Sequence, residues 1–277
     1  MLFRSETDRA ELIRMMVGRD LDSAARATKP TSQVVALSVA HLTTRKLKNV
    51  SFELCRGEVL GIAGLVGAGR SELGAALFGL DPIQHGRILL KGREFRPAGP
   101  ADAQRRGMGL VPEDRKLQGL MLRMSVKENA TLSVLKRVSR WGFLRAAQEK
   151  RLFDPAAQRL RLKSASPDLA VGNLSGGNQQ KALLARAIFA DPDVLFLDDP
   201  ARGIDVAAKE DIYRLIHELA ASGKSILLAS SELPELMRCS DRILVLKEGR
   251  VTGLFAAART TQEAIMAAAT HDFAEAG

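Results

Sequence analysis

The chain has 277 residues, 46% of them hydrophobic, which suits one sizeable core with a smaller subdomain and excludes several large domains. Its apolar runs fall well short of the roughly 18 residues that span a bilayer, so no transmembrane helix or signal peptide is expected, and the separated Cys55 and Cys239 give neither a disulfide framework nor a zinc spacing, which points to a reducing cytoplasm. The net charge of +9 is spread along the whole sequence, and with aromatics at only 4% no basic segment interleaved with aromatics stands out for stacking on bases, so nucleic acid is not an expected partner.

In chain order, Asp8 to Arg19 is predicted as a short amphipathic helix with Leu12, Met15 and Met16 on one side, followed by a polar, alanine-rich stretch to Pro30. Residues 1–30 read as a tail or linker, 31–256 as the main domain and 257–277 as a C-terminal helix and tail. Val34 to Glu53 is strand-like and broken by turns, and Val59 to Leu65 is apolar enough for a buried strand. A glycine-rich turn then leads into a helix over Ser71 to Phe78. Shorter alternating pieces run from Pro82 to Phe95, a helical patch follows, and Met108 to Glu113 is another strand. Residues from about 115 to 172 read as helical and charged and form a helical subdomain. A helix beginning after Ser175 must stop by Asp191-Pro192. Val194 to Leu197, Ser225 to Ser230 and Arg242 to Gly249 are strands alternating with helices, the pattern of a mostly parallel sheet, and Gln262 to Thr270 closes the chain as a helix.

Gly64, Leu65, Val66, Gly67, Ala68, Gly69, Arg70 and Ser71 fit GxxxxGK[ST] except that Arg70 stands where lysine is expected. Such a loop aims backbone N–H groups at phosphates, and the positive end of the following helix, which opens Ser71-Glu72, adds to that field. Ser71 offers a hydroxyl to magnesium. Arginine keeps the charge but replaces a compact ammonium with a longer planar fork. The stretch lacks GxGxxG spacing, so a dinucleotide turn is not indicated; taken alone it is also compatible with a plain strand-to-helix turn.

Downstream, Leu174, Ser175, Gly176, Gly177, Asn178 and Gln179 look like a helix start built to meet phosphate, with Ser175 as cap and glycines admitting close backbone approach. One helix later, the run Val194 to Pro200 ends in the paired carboxylates Asp198 and Asp199. LSGGNQQK (Leu174 to Lys181) resembles the signature of ABC-type ATPases, and the likeness spans about residues 34 to 270. It implies an α/β P-loop NTPase fold of the ABC type, with a mostly parallel central sheet, an antiparallel β subdomain and a helical subdomain at about 115–172. GAGRS, Glu113-Asp114-Arg115, LSGGNQQK, Arg202 to Val206 (RGIDV) and SSE are similar to the second half of the tandem ATPases of ribose, xylose and galactose importers. Glu11 to Leu21 is similar to the stretch that closes the first half, so the chain is expected to be the second half of a longer protein.

The resemblance implies ATP and Mg2+ as cofactors, with Asp198 and Ser71 on the metal and the loop from Gly64 to Glu72 on the nucleotide. It places Leu174 to Gln179 over a nucleotide held by a partner domain, and Asp205 in communication across that dimer. Glu113 stands where the family has a glutamine that senses the γ-phosphate, Ser231 where it has a switch histidine, and Asp199 where a glutamate polarises water. The implied partners are a second ABC half, fused or separate, membrane permease subunits and, indirectly, a periplasmic sugar-binding protein. The implied location is peripheral, at the cytoplasmic face of the inner membrane. The departures weaken the chain's own site. Glu113 repels ATP unless a cation intervenes, Ser231 carries no charge, and Asp199 reaches about 1.5 Å less far than glutamate. No aromatic lies between Pro30 and Ser51 to stack on adenine. ATP hydrolysis is therefore expected to be weak alone and dependent on a partner half. A non-hydrolysing regulatory half is the alternative; an ABC ATPase of DNA repair or translation would need zinc cysteines or a coiled-coil insertion, which the sequence lacks, or a second ATPase half, which a chain that is part of a longer protein leaves open.

Overall fold

The computed structural model describes residues 32–270; the expected helix at Asp8 to Arg19, with the tail it belongs to, lies outside them. The described chain runs β1 (Val35–Thr43), β2 (Val50–Cys55), β3 (Val59–Ala63), α1 (Arg70–Leu77), β4 (His85–Leu90), β5 (Arg93–Glu94), α2 (Pro100–Arg105) and β6 (Met108–Val111). It continues through a π-helical turn (Arg115–Gly119), α3 (Val126–Thr131), α4 (Leu135–Val138), β7 (Ser139–Arg140), β8 (Phe143–Leu144), α5 (Ala146–Arg159) and α6 (Gly176–Phe189). The last elements are β9 (Val194–Asp198), α7 (Val206–Ala221), β10 (Ser225–Ala229), α8 (Leu233–Cys239), β11 (Arg242–Lys247), β12 (Arg250–Ala256) and α9 (Gln262–Thr270).

A six-stranded sheet in the order β12-β11-β3-β10-β9-β6 forms the centre. β11, β3, β10, β9 and β6 are parallel and β12 lies antiparallel along β11. Every residue of β3, β9 and β10 is buried, as expected of parallel strands covered on both faces. Successive side chains point to opposite faces, and this divides the apolar residues into two cores. Val59, Leu195, Leu197, Ile226 and Leu228 pack with α6, α7 and the helical subdomain. Leu60, Ile62, Val194, Phe196 and Leu227 pack instead with α1 and the antiparallel sheet β2-β1-β4-β5. Gly74 lets α1 sit against β9, since a Cβ there would stand 2.9 Å from the Phe196 ring.

The parallel ladders bring the strand ends level. Ala229 pairs with Ile62 on one side and with Asp198 on the other, while Val111 pairs with Leu197. The loops leaving β3, β6, β9 and β10 therefore emerge side by side at the carboxyl edge of the sheet, where α/β proteins hold their ligands.

Several sequence expectations need correction. β3 ends at Ala63 because Gly64 turns the chain with φ 156°, and β6 ends at Val111 before Pro112. β12 was not anticipated; its residues are half-buried or exposed, so its apolar pattern is weak. The helical subdomain also contains a two-stranded hairpin, β7–β8, turned by Trp141 (φ 55°) and Gly142 (φ 84°). It exposes Trp141 and Phe143 between Arg140 and Arg145, so an aromatic-interleaved basic segment does exist. The sequence reading missed it because overall aromatic content is low. The half-buried Arg186 ties the helical subdomain to α6. Its Nε donates to the Asn129 carbonyl at 2.9 Å, Nη2 to Asn129 Oδ1 at 2.7 Å, and Nη1 to the Gly119 carbonyl.

Phe196→Ala should destabilise the fold by about 3–5 kcal/mol, because the ring fills the interface of β9 with α1. Leu254→Ala, half-exposed on β12, should cost under about 1 kcal/mol. Urea denaturation of both variants checks the contrast.

Candidate functional site

The loop from Gly64 to Ser71 is held from below. Ala68 N–H donates to the Leu65 carbonyl at 3.0 Å, and the Ala68 carbonyl accepts from Gly249 N–H at 2.9 Å. Gly64 has no room for a side chain, since a Cβ would lie 2.5 Å from the Leu246 carbonyl oxygen. Among the described residues, no acceptor is found for the backbone N–H groups of Gly67, Gly69, Arg70 and Ser71, which surround the start of α1. The Leu65 and Val66 side chains are exposed, so these positions contribute backbone rather than packing. Glu72 is paired with Lys46 on the β1–β2 turn.

Ser71 donates to Asp198, the last residue of β9. Burial pushes the Asp198 carboxyl upward, the Ser71 hydrogen bond opposes this, and the neighbouring Asp199 charge raises it further. Two oxygens, one on an under-compensated buried carboxylate, suit a hard dication. Among the described residues no cluster of three or more His, Cys, Asp or Glu side chains could hold a metal. Phosphates and water would have to complete the shell, as magnesium favours. Both side chains line a cleft of about 570 Å³ that also reaches Phe78, Pro112, Gln118 and Arg186.

Arg70 and Ser231 converge on Asp199. Ser231 donates from its backbone N–H at 2.7 Å and its hydroxyl at 3.0 Å to Asp199 Oδ1. Arg70 Nη1 donates to the Ser230 carbonyl at 2.7 Å, and its Nη2 stands 3.8 Å from Asp199 Oδ2. The loop's cation is thus engaged by its own domain. Beneath this contact is a buried polar cluster that no motif or spacing in the sequence signals. Glu235 accepts from Ser230 Oγ at 2.9 Å, from Lys209 Nζ at 2.8 Å and from the Tyr213 hydroxyl. Burial raises the Tyr213 phenol, and Glu235 reinforces the shift, so Tyr213 remains a donor.

Glu113 is not brought to Ser71 and Asp198. It is ion-paired with Arg202 in a separate cavity of about 400 Å³, so the intervening cation is Arg202. The neighbouring Asp114 accepts from Lys116 and Leu117 N–H groups, and these bonds hold its carboxyl below the usual range.

The signature segment differs from its sequence reading in two respects. Ser175 occupies the N-cap of α6 without capping it; its hydroxyl accepts from Asn178 Nδ2 at 3.0 Å. The N–H groups of Gly176, Gly177 and Asn178 therefore remain without an intrahelical acceptor. The glycines also serve packing. A Cβ on Gly177 would lie 2.5 Å from Ala208 Cβ on α7, and one on Gly176 would lie 2.8 Å from Arg115 Nη2. Arg115 reaches the Arg202 carbonyl at 3.0 Å and makes longer contacts of 3.4 Å to the Gly203 carbonyl and Gln179 Oε1. Gln179 donates to the Leu174 carbonyl at 3.1 Å. Asp205 caps α7 through Ala208 N–H at 2.9 Å, so its carboxylate serves its own helix.

The pattern of the ABC transporter family matches residues 47–202. The ribose import ATP-binding protein of Chromobacterium violaceum is 46% identical over 96% of this chain and 53% of its own length. The xylose import ATP-binding protein of Ralstonia nicotianae is 45% identical over 96% of this chain and 54% of its own. The chain spans about half the length of the curated relatives it matches. Among solved structures, a nucleotide-free ATP-binding cassette from an ABC transporter superposes with a TM-score of 0.70 at 22% identity, covering 80% of this chain and 91% of that one. A dimeric cassette in a post-hydrolysis state with ADP and phosphate gives the same score at 22% identity, over 81% of this chain and 100% of its own. These structures establish the fold.

Gly177→Ala should cost about 1–3 kcal/mol in thermal or urea denaturation by forcing α6 from α7. Gly176→Ala, whose Cβ would meet the Arg115 side-chain end at 2.8 Å and the Gly203 carbonyl oxygen at 3.4 Å, should cost less because that side chain can give way. Without metal, the raised Asp198 pKa means that the contribution of this carboxyl to stability is fully present below the ordinary aspartate value and is lost as pH rises through the folded-state value. Asp198→Asn should therefore stabilise the metal-free protein at neutral pH while weakening magnesium-dependent nucleotide binding, measured by melting curves and by titration calorimetry.

Proposed function

The chain belongs to the ABC transporter family, and on that premise we propose that it is the second ATP-binding half of a bacterial monosaccharide importer of the ribose, xylose and galactose type. On this reading residues 31–256 are the ATPase domain, 1–30 the end of a preceding half and 257–277 a C-terminal helix and tail. Support comes from the two import ATP-binding relatives and from the motif set around Arg70, Glu113 and Ser231. The partners are a second ABC half, a membrane permease at whose cytoplasmic face the chain sits peripherally, and indirectly a periplasmic sugar-binding protein. Among the described residues no helix is long and apolar enough to cross a membrane.

The observation that carries the reading is the contrast between the two ends of the domain. The signature presents the N–H groups of Gly176, Gly177 and Asn178, which have no intrahelical acceptor. These groups would bind phosphate oxygens of a nucleotide held by the partner's loop. The chain's own loop has its cation drawn to Ser230 and Asp199. With ATP bound there, the free loop N–H groups would take phosphate oxygens, and Ser71 and Asp198 would hold magnesium, which neutralises phosphate charge. Asp199 stands where the family polarises water. Its Oδ1 already accepts two hydrogen bonds and its Oδ2 faces Arg70, so few of its lone pairs are left to orient an attacking water. The chain's own site is therefore a slow one, and turnover depends chiefly on the site shared with a partner.

Steady-state hydrolysis should be near background for the chain alone and rise when a half with an unaltered lysine loop is added. Ser175→Arg should remove that rise. Arg70→Lys with Asp199→Glu should increase nucleotide affinity and, in the mixture, turnover. Robust magnesium-dependent activity of the unmixed chain would overturn the assignment of a slow site.

A further inference from the structure

The β7–β8 hairpin presents an apolar tip ringed by unpaired cations. Trp141 is 86% exposed, Phe143 79% and Leu144 53%, a concentration of large apolar side chains that soluble surfaces seldom leave uncovered. Around them Lys136, Arg140 and Arg145 are exposed, and among the described residues none forms an ion pair. No acidic residue occurs in the sequence between Glu128 and Glu149, and Glu149 is itself buried against Lys127 and Thr131. The hairpin is firmly built: Arg145 N–H donates to the Val138 carbonyl at 2.8 Å, and Arg137 Nη1 donates to the Phe189 carbonyl at 3.1 Å. Its turn has positive φ at both central residues, the geometry of a tight two-residue hairpin that normally selects Asn, Asp or Gly. A tryptophan holds the first of these left-handed positions at 55°, where a bulky side chain is an outlier. Backbone outliers of this kind collect at functional contacts.

We propose that this hairpin seats in the headgroup layer of an anionic lipid bilayer, with Trp141, Phe143 and Leu144 at the boundary of the acyl region and Lys136, Arg140 and Arg145 on lipid phosphates. Tryptophan is suited to that depth, with an apolar body and a polar N–H, and clustered cations are drawn to the negative surface. A short hairpin tip offers far less than the roughly 800 Å² per partner that a stable protein interface buries. A bilayer requires no such area, because charge and a few inserted side chains act together. The inference needs only lipid, so it stands or falls separately from the transport reading.

Trp141 is the sole tryptophan of the chain, which makes its fluorescence a direct report on the hairpin. The full chain is titrated with vesicles of phosphatidylcholine alone or mixed with phosphatidylglycerol, and with the latter carrying brominated acyl chains. The expected result is a blue shift and bromine quenching with the anionic vesicles, weakened by salt and small with phosphatidylcholine. Arg140→Gln with Arg145→Gln should reduce partition about thirtyfold, and Phe143→Ser should reduce the shift, with melting curves confirming that both variants fold. Co-sedimentation with anionic vesicles without a change in Trp141 emission would assign binding to another face and overturn the proposal. An emission change only with a single-stranded oligonucleotide, or only with permease-bearing vesicles irrespective of lipid charge, would overturn it too.

Discussion

The carboxylate of Asp199 joins three otherwise separate strand ends. It follows β9, accepts both donors of Ser231 beyond β10, and faces the Arg70 guanidinium at the start of the helix that follows β3. The arrangement is available only because the parallel ladders leave Ile62, Asp198 and Ala229 level with one another. Asp199 itself has φ 43°, a left-handed backbone that turns its side chain back across the sheet edge while its N–H donates to the Ala229 carbonyl at 2.9 Å. The same contact that organises the edge also occupies the groups expected to act on nucleotide. Structural order and chemical availability therefore compete at a single residue.

A second constraint operates at the other end of the domain. Arg115 leaves the loop after β6, contacts the carbonyls of Arg202 and Gly203, and approaches Gln179 in the first turn of α6. Gly177 meanwhile brings α6 against α7, whose cap is Asp205. The Glu113–Arg115 segment, the RGIDV segment and the signature are thus mechanically continuous. Packing and hydrogen bonds join the three segments in one network.

Much of this was legible in the sequence. Uninterrupted apolar runs in β3, β9 and β10 identify buried parallel strands, and the spacing from Gly64 to Ser71 locates the loop. Weakly patterned elements were not legible. β12 is half-exposed, and the β7–β8 hairpin is too short to carry a period within a charged, helical stretch. At the site, residue types were visible but their partners were not. Nothing in the spacing of Glu113 and Arg202, or of Ser230 and Glu235, indicates that each pair meets, because those contacts depend on loops brought together by the sheet. The glycines of the signature were read for phosphate approach alone; their tertiary neighbours, Ala208 and Arg115, belong to segments distant in sequence.

The alternation along β9 places Leu195 and Leu197 in one core and Val194 and Phe196 in the other. A slip of one residue against β10 would exchange these two sets and at the same stroke carry Asp198 and Asp199 away from Ser71 and Ser231. A misregistered chain would thus lose its packing and the contacts of Asp198 and Asp199 together. Packing and carboxylate placement are therefore one condition rather than two: no register that preserves both cores leaves Asp198 and Asp199 anywhere but beside Ser71 and Ser231.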